Sequence, residues 1–198
     1  MSKSEPDYEG RVQEFHAALI ELEVREVVRK YITTGMPAAI AEKDYYDLRR
    51  DVAKEFKLHP NAVVLIGSCR VGFSLKPNKL YAPTHSNSDL DLALVSMERF
   101  DDFWDRVFHY AKFNPSWDEK WRFEKSLFNG WIDPRWLPPV PRFETAKHWI
   151  EFFDTIMRSR RFGTRRLTAR LYRTWEHLES YQERMVRRCR DDLRRTTS

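Results

Sequence analysis

The run Ala62-Val63-Val64-Leu65-Ile66-Gly67-Ser68, followed further along by Ser88-Asp89-Leu90-Asp91-Leu92-Ala93-Leu94-Val95, decides how this chain is read. Residues 62–66 are continuously apolar, rich in β-branched side chains and bounded by turn formers, which is the pattern of a buried strand. Residues 90–95 form a second apolar strand, with acids at Asp89 and Asp91. Alternate side chains of a strand share a face. Asp89 and Asp91 are therefore expected on one face, and Leu90 and Leu92 on the other. Two carboxylates this close repel each other. A divalent cation removes that penalty, and hard oxygen donors suit magnesium.

Gly67-Ser68 supplies the other half of a site. A glycine directly after a buried strand lets the backbone approach a ligand closely. Ser68 is placed to donate to a phosphate oxygen. If Cys69, Arg70 and Val71 open a helix, their amides face the same anion. Arg70 is a candidate phosphate contact, with a plain surface position as the alternative. The polar stretch 73–88, with Pro77, Asn78, Pro83 and Asn87, is a loop by composition. It would lie over the site and bring Lys76, Lys79 and His85 to it, unless these are simply solvated.

An apolar strand, Gly67-Ser68, a spacer and then Asp89-Leu90-Asp91 within a second apolar strand resemble the signature of the DNA polymerase β-type nucleotidyltransferase superfamily. The resemblance covers residues 62–95, about a sixth of the chain. The flanking Gly72-Phe73-Ser74-Leu75-Lys76-Pro77 points to a small bacterial toxin- or defence-associated branch. The resemblance implies transfer of a nucleotide from a nucleoside triphosphate to an acceptor hydroxyl. It also implies two magnesium ions, with Asp89 and Asp91 as metal ligands and catalytic carboxylates. Gly67, Ser68, Arg70 and Lys76 would then contact the nucleotide.

Two departures stand out. The spacer is longer than in minimal members, and the family's third carboxylate has no obvious counterpart on a later strand. Asp133, in Gly130-Trp131-Ile132-Asp133-Pro134, is the candidate if Trp131-Ile132 is a strand fragment. The alternative is that Asp-Pro makes a turn. Glu176 is a further candidate.

Outward from this centre the pattern is helical. Val12, Phe15, Leu19, Leu22, Val27 and Ile32 recur near a 3.6 period and predict one helix from Glu9, ended by Gly35 and Pro37. Tyr45, Leu48, Val52 and Phe56 predict a second over 41–57. Helices are also expected over 98–112, 143–158 and 174–195, and residues 1–8 are expected to fray. Residues 113–142, rich in Trp and Pro, are expected to be an irregular connector. Leu167–Tyr172 is either a short strand or the start of the last helix. The expected fold class is α/β (α+β): a small mixed β-sheet of the polymerase-β type, with N-terminal helices and a C-terminal helical extension. The expected division is a helical segment over 1–60, a nucleotidyltransferase core over 61–142 and a basic helical extension over 143–198.

Of 198 residues, 41% are hydrophobic, which excludes a disordered composition. The net charge is +5, and residues 158–198 hold thirteen Arg and no Lys. Arg matches phosphate forks well. The C-terminal stretch is thus a candidate contact for RNA or another polyanion. The alternative is a solvated helix whose Arg pair with Glu176, Glu179, Glu183, Asp191 and Asp192. Cys69 and Cys189 show no metal-ligand spacing and no disulfide framework. Without a signal-peptide pattern or a long apolar run, the expectation is a cytoplasmic protein with no membrane partner. The leading function is nucleotidyl transfer to RNA, such as tRNA. The alternatives are adenylylation of a protein partner, with the aromatic connector as interface, and a non-catalytic nucleotide- or nucleic-acid-binding module.

Overall fold

β1 (Val63–Ile66), β2 (Leu90–Val95), β3 (Trp131–Ile132) and β4 (Leu167–Tyr172) form one mixed sheet in the computed structural model, which describes residues 8–139 and 143–197. The strand order is β1-β2-β4-β3. β1 runs antiparallel to β2, β2 parallel to β4, and β3 antiparallel to β4. The helices are α1 (Tyr8–Glu21), α2 (Val24–Val28), α3 (Glu42–Phe56), α4 (Ser68–Val71), α5 (Met97–Phe113), α6 (Lys120–Phe128), α7 (Glu144–Arg158) and α8 (Trp175–Thr197). Among the described residues no helix is long and apolar enough to cross a membrane.

The two faces of the sheet are covered by different helices. Val63, Leu65, Leu90, Leu92, Leu94, Leu167, Ala169 and Leu171 pack with Leu48, Val52 and Phe56 of α3, Phe103 of α5 and Trp149 and Phe153 of α7. Val64, Ile66, Ala93, Val95 and Tyr172 turn the other way, toward Phe15 of α1, Val27 and Val28 of α2, and Leu178 and Val186 of α8. Each fully buried Leu or Val contributes about 1.5–3 kcal/mol relative to exposure. All four residues of β1 are buried, so the continuous apolar run is that of a strand covered on both faces.

Local chemistry fixes the boundaries. α3 ends where Lys57 turns left-handed (φ 53°), and Pro60 opens the tight turn into β1. Ser96 caps α5 by accepting from the Arg99 amide. Across the second face, Arg25 of α2 pairs with Glu176 and Glu183 of α8, and Arg29 pairs with Glu179. The alternative to polyanion binding paired these acids with Arg of their own helix; apart from Arg187 on Glu183, their arginine partners come from α2 and from Arg29 just after it.

Several expectations are revised. The single helix expected from Glu9 to Ile32 is broken at residues 22–23. Glu23 is extended and forms a capping box with Glu26, which starts a new helix. Arg190 of α8 donates to the carbonyl of Leu22 at the break. The connector expected to be irregular contains α6, obscured in sequence because Trp121 and Phe128 point outward and only Phe123 and Ser126 are buried. Leu167–Tyr172 is a strand and stands between β2 and β3. Residues 143–198 are therefore more than a helical extension, since they complete the sheet. Of the frayed start, residues 1–7 lie outside the described residues, while Tyr8 begins α1 and its hydroxyl donates to the Tyr81 carbonyl. The end of the 113–142 connector, with Pro141, also lies outside them.

Candidate active site

β1 ends on Ile66, opposite Asp91 of β2. Gly67 then adopts φ 73° and ψ −159°, a conformation essentially restricted to glycine. A side chain would also be crowded, because a Cβ on Gly67 would lie 3.0 Å from Asp91 Oδ2 and push that carboxylate aside. The Gly67 backbone and the Asp91 carboxylate are thus packed against each other. α4 is a single turn closed by Gly72 at φ 97°. The Cys69 thiol reaches the Ser88 carbonyl (3.6 Å), which ties this turn to the segment leading into β2. Burial pushes the Cys69 thiol up to about 11, with Arg165 opposing and Asp91 and Asp89 adding, so it stays protonated at neutral pH.

Asp89 precedes β2 and is exposed, and Asp91 is half-buried. Neither forms an ion pair with a described residue. Asp91 Oδ1 accepts from the Thr168 hydroxyl at 2.5 Å. The β2–β4 register sets that contact by placing Thr168 directly opposite Asp91. A cleft of about 540 Å³ opens above these groups. It is lined by Gly67, Ser68, Asp89 and Asp91 on the sheet side, by Lys76, Lys79 and His85 from the 73–88 loop, and by Arg170, Tyr181, Gln182 and Met185.

Most of the residues singled out in the sequence come together here: Gly67, Ser68, Lys76, Asp89 and Asp91. Two do not. Arg70 is 3% exposed, and its guanidinium donates to the carbonyls of Tyr31 (3.2 Å) and Gly35 (2.8 Å). It anchors the α2–α3 connection and is not directed at a phosphate. The Arg70 amide is likewise engaged by the Gly67 carbonyl (3.1 Å).

Asp133 is 1% exposed and lines a separate groove of about 240 Å³. It caps the turn Pro134–Trp136 and pairs with Arg135 (2.5 Å) and Arg170 (3.1 Å). Burial alone would push its carboxyl up, but the bonds and charge of Arg135, with the charge of Arg170, hold it below the ordinary range. Trp131-Ile132 is thus the strand fragment and the Asp-Pro pair a turn, and Asp133 faces arginines without lining the cleft. Glu176, at the start of α8, is taken by Arg25.

The strand neighbour of Asp91 is a threonine where a third carboxylate was sought. Among the described residues no group of three or more His, Cys, Asp or Glu is placed to hold a metal. Asp89 and Asp91 still fit one magnesium ion that arrives with a triphosphate, since such ions take one or two protein carboxylates and fill their shell with phosphate oxygens and water. Thr168, Arg170 and the α8 residues were not picked out in the sequence. The alternation Thr168-Ala169-Arg170-Leu171 was the available signal, because it puts both polar side chains on the Asp91 face once the segment is a strand.

No protein-family model, curated protein or solved structure matches the chain.

Proposed function

We propose that the chain is a magnesium-dependent nucleotidyltransferase that moves a nucleoside monophosphate from a nucleoside triphosphate to an acceptor hydroxyl. Its acceptor would be RNA, such as tRNA, in a bacterial toxin or defence setting. One observation carries the reading: the Asp91 carboxylate packs on the bare backbone of Gly67, with Asp89 on the same rim of a cleft large enough for a nucleotide. Asp89 and Asp91 hold the ion, which when bound neutralises phosphate charge and polarises the reacting phosphate. Ser68 donates to a phosphate oxygen. Lys76 and Lys79 offset the negative charge that builds on the departing pyrophosphate. Thr168 fixes the orientation of Asp91. The RNA acceptor is supported by the +5 net charge and by exposed Arg158, Arg160, Arg166 and Arg188.

A second reading is supported by Thr168, which leaves the site without a third carboxylate. On that reading the same cleft binds a nucleotide without turnover. The test offers each α-labelled nucleoside triphosphate with magnesium, together with total tRNA or cell lysate. The Asp89→Ala, Asp91→Ala double variant is run beside it. Label on RNA that disappears in the variant is the expected result. Label that survives the double substitution would sink the mechanism. Label on a protein assigns the adenylylating alternative. No label, with nucleotide binding intact, assigns the non-catalytic one.

A further inference from the structure

α8 brings to the cleft a side chain with no role so far. Gln182 is only 5% exposed, yet its amide has no hydrogen-bond partner among the described residues, and it lines the cleft. No bond within the described residues commits that amide, so its donor and its acceptor are free to meet a group bound in the cleft. The same cleft also carries apolar side chains, Ile66, Leu75, Pro83 and Met185, among its polar ones. Apolar side chains together with a free donor–acceptor edge suit a flat heterocycle, with its faces in van der Waals contact and one edge hydrogen-bonded.

The aim of Gln182 is fixed from outside. Glu179 and Glu183, flanking it along α8, are held by Arg29 (3.0 Å), just after α2, and by Arg25 (2.7 Å) of α2. These pairs set the rotation of the helix that turns residue 182 to the cleft.

We infer that Gln182 reads the base of the bound nucleotide, and that the base is adenine. A glutamine amide offers one donor and one acceptor side by side, the match for adenine's amino group and neighbouring ring nitrogen. Guanine is served better by Arg or Lys, and cytosine by a carboxylate. Among the described residues the one guanidinium in the cleft wall, that of Arg170, is committed to Asp133 at 3.1 Å. Lys76 and Lys79 belong to the phosphate end.

The inference rests on the nucleotide-binding reading of the same cleft, so its test separates the two. Equilibrium binding of ATP, GTP, CTP, UTP and inorganic tripolyphosphate, each with magnesium, is measured on the full chain and on Gln182→Leu. Wild type is expected to prefer ATP by roughly tenfold or more. Gln182→Leu is expected to lose that preference while binding tripolyphosphate unchanged. Gln182→Glu keeps the shape and removes the donor. It is expected to weaken ATP by roughly tenfold with tripolyphosphate unaffected, and it serves if the leucine variant misfolds. Equal binding of all four nucleotides by wild type, or an ATP preference that survives in both variants, overturns the base-reading role alone. Failure of every nucleotide and of tripolyphosphate to bind overturns the nucleotide reading and this inference together.

Discussion

At Gly67 two independent constraints fall on one residue: a backbone conformation barred to side chains and a carboxylate 3.0 Å from where a Cβ would sit. Gly67→Ala is therefore expected to cost about 1–3 kcal/mol of stability. It should also displace Asp91, so magnesium-dependent nucleotide binding should fall more than the stability loss explains. Chemical denaturation and nucleotide titration on the same samples check both. Thr168 invites the opposite experiment. Thr168→Asp sets a carboxylate against Asp91, and like charges at this range repel. The variant should be less stable than wild type without magnesium and recover with it, and transfer, if the third acid limits it, should rise. A melting temperature indifferent to magnesium would argue against an ion between these strands.

Asp133 makes a separate prediction about pH. Its carboxyl is held below the ordinary range in the folded state. Its contribution to stability is complete above the unfolded value of about 3.9, and is lost as pH falls through the lower folded value. Asp133→Asn should remove that slope from acid unfolding. It should also cost about 3–5 kcal/mol near neutral pH, because Arg170 and Arg135 lose their buried partner.

Among the elements, α8 meets α2 more extensively than any other single element of its face. Arg25→Ala releases Glu176 and Glu183 together. The expected outcome is faster amide exchange along α8, measured by hydrogen exchange, and weaker nucleotide binding with little change in tripolyphosphate binding. The elements differed in how openly the chain declared them. β2 and α3 were readable because β2 is a short apolar run and the apolar residues of α3 keep one helical period. α6 hid because its aromatic residues face outward, breaking the link between apolar side chains and burial on which periodicity depends. The break between α1 and α2 rests on a capping box made by glutamates, which a hydrophobic pattern does not register.

Over the whole molecule, the arginine-rich end is largely internal scaffolding. Among the described residues at least seven of its thirteen Arg are bonded across the fold or along α8: Arg161 to Asp47 and Asp51, Arg165 to the carbonyls of Ala39 and Ser86, Arg170 to Asp133, Arg173 to Asp101, Arg184 to Asn129, Arg187 to Glu183 and Arg190 to Leu22. Replacing exposed Arg158, Arg160 and Arg166 by Ala should lower RNA affinity and flatten its salt dependence by about one unit of slope per lost phosphate contact, with folding intact. Arg165→Ala should instead disturb the fold, because it frees two carbonyls beside the cleft.

The sequence by itself determined the two strands, the glycine turn between them and the shared face of Asp89 and Asp91, because each follows from spacing over a few residues. Only the tertiary structure decided what meets them. β4 is inserted beside β2 from about seventy residues away, which set Thr168 against Asp91 and drew Asp133 to Arg170. The folding back of α8 brought Gln182 over the cleft. Those choices depend on strand register and on which helix covers which face. Both are settled by long-range packing and pairing, for which local periodicity carries no information.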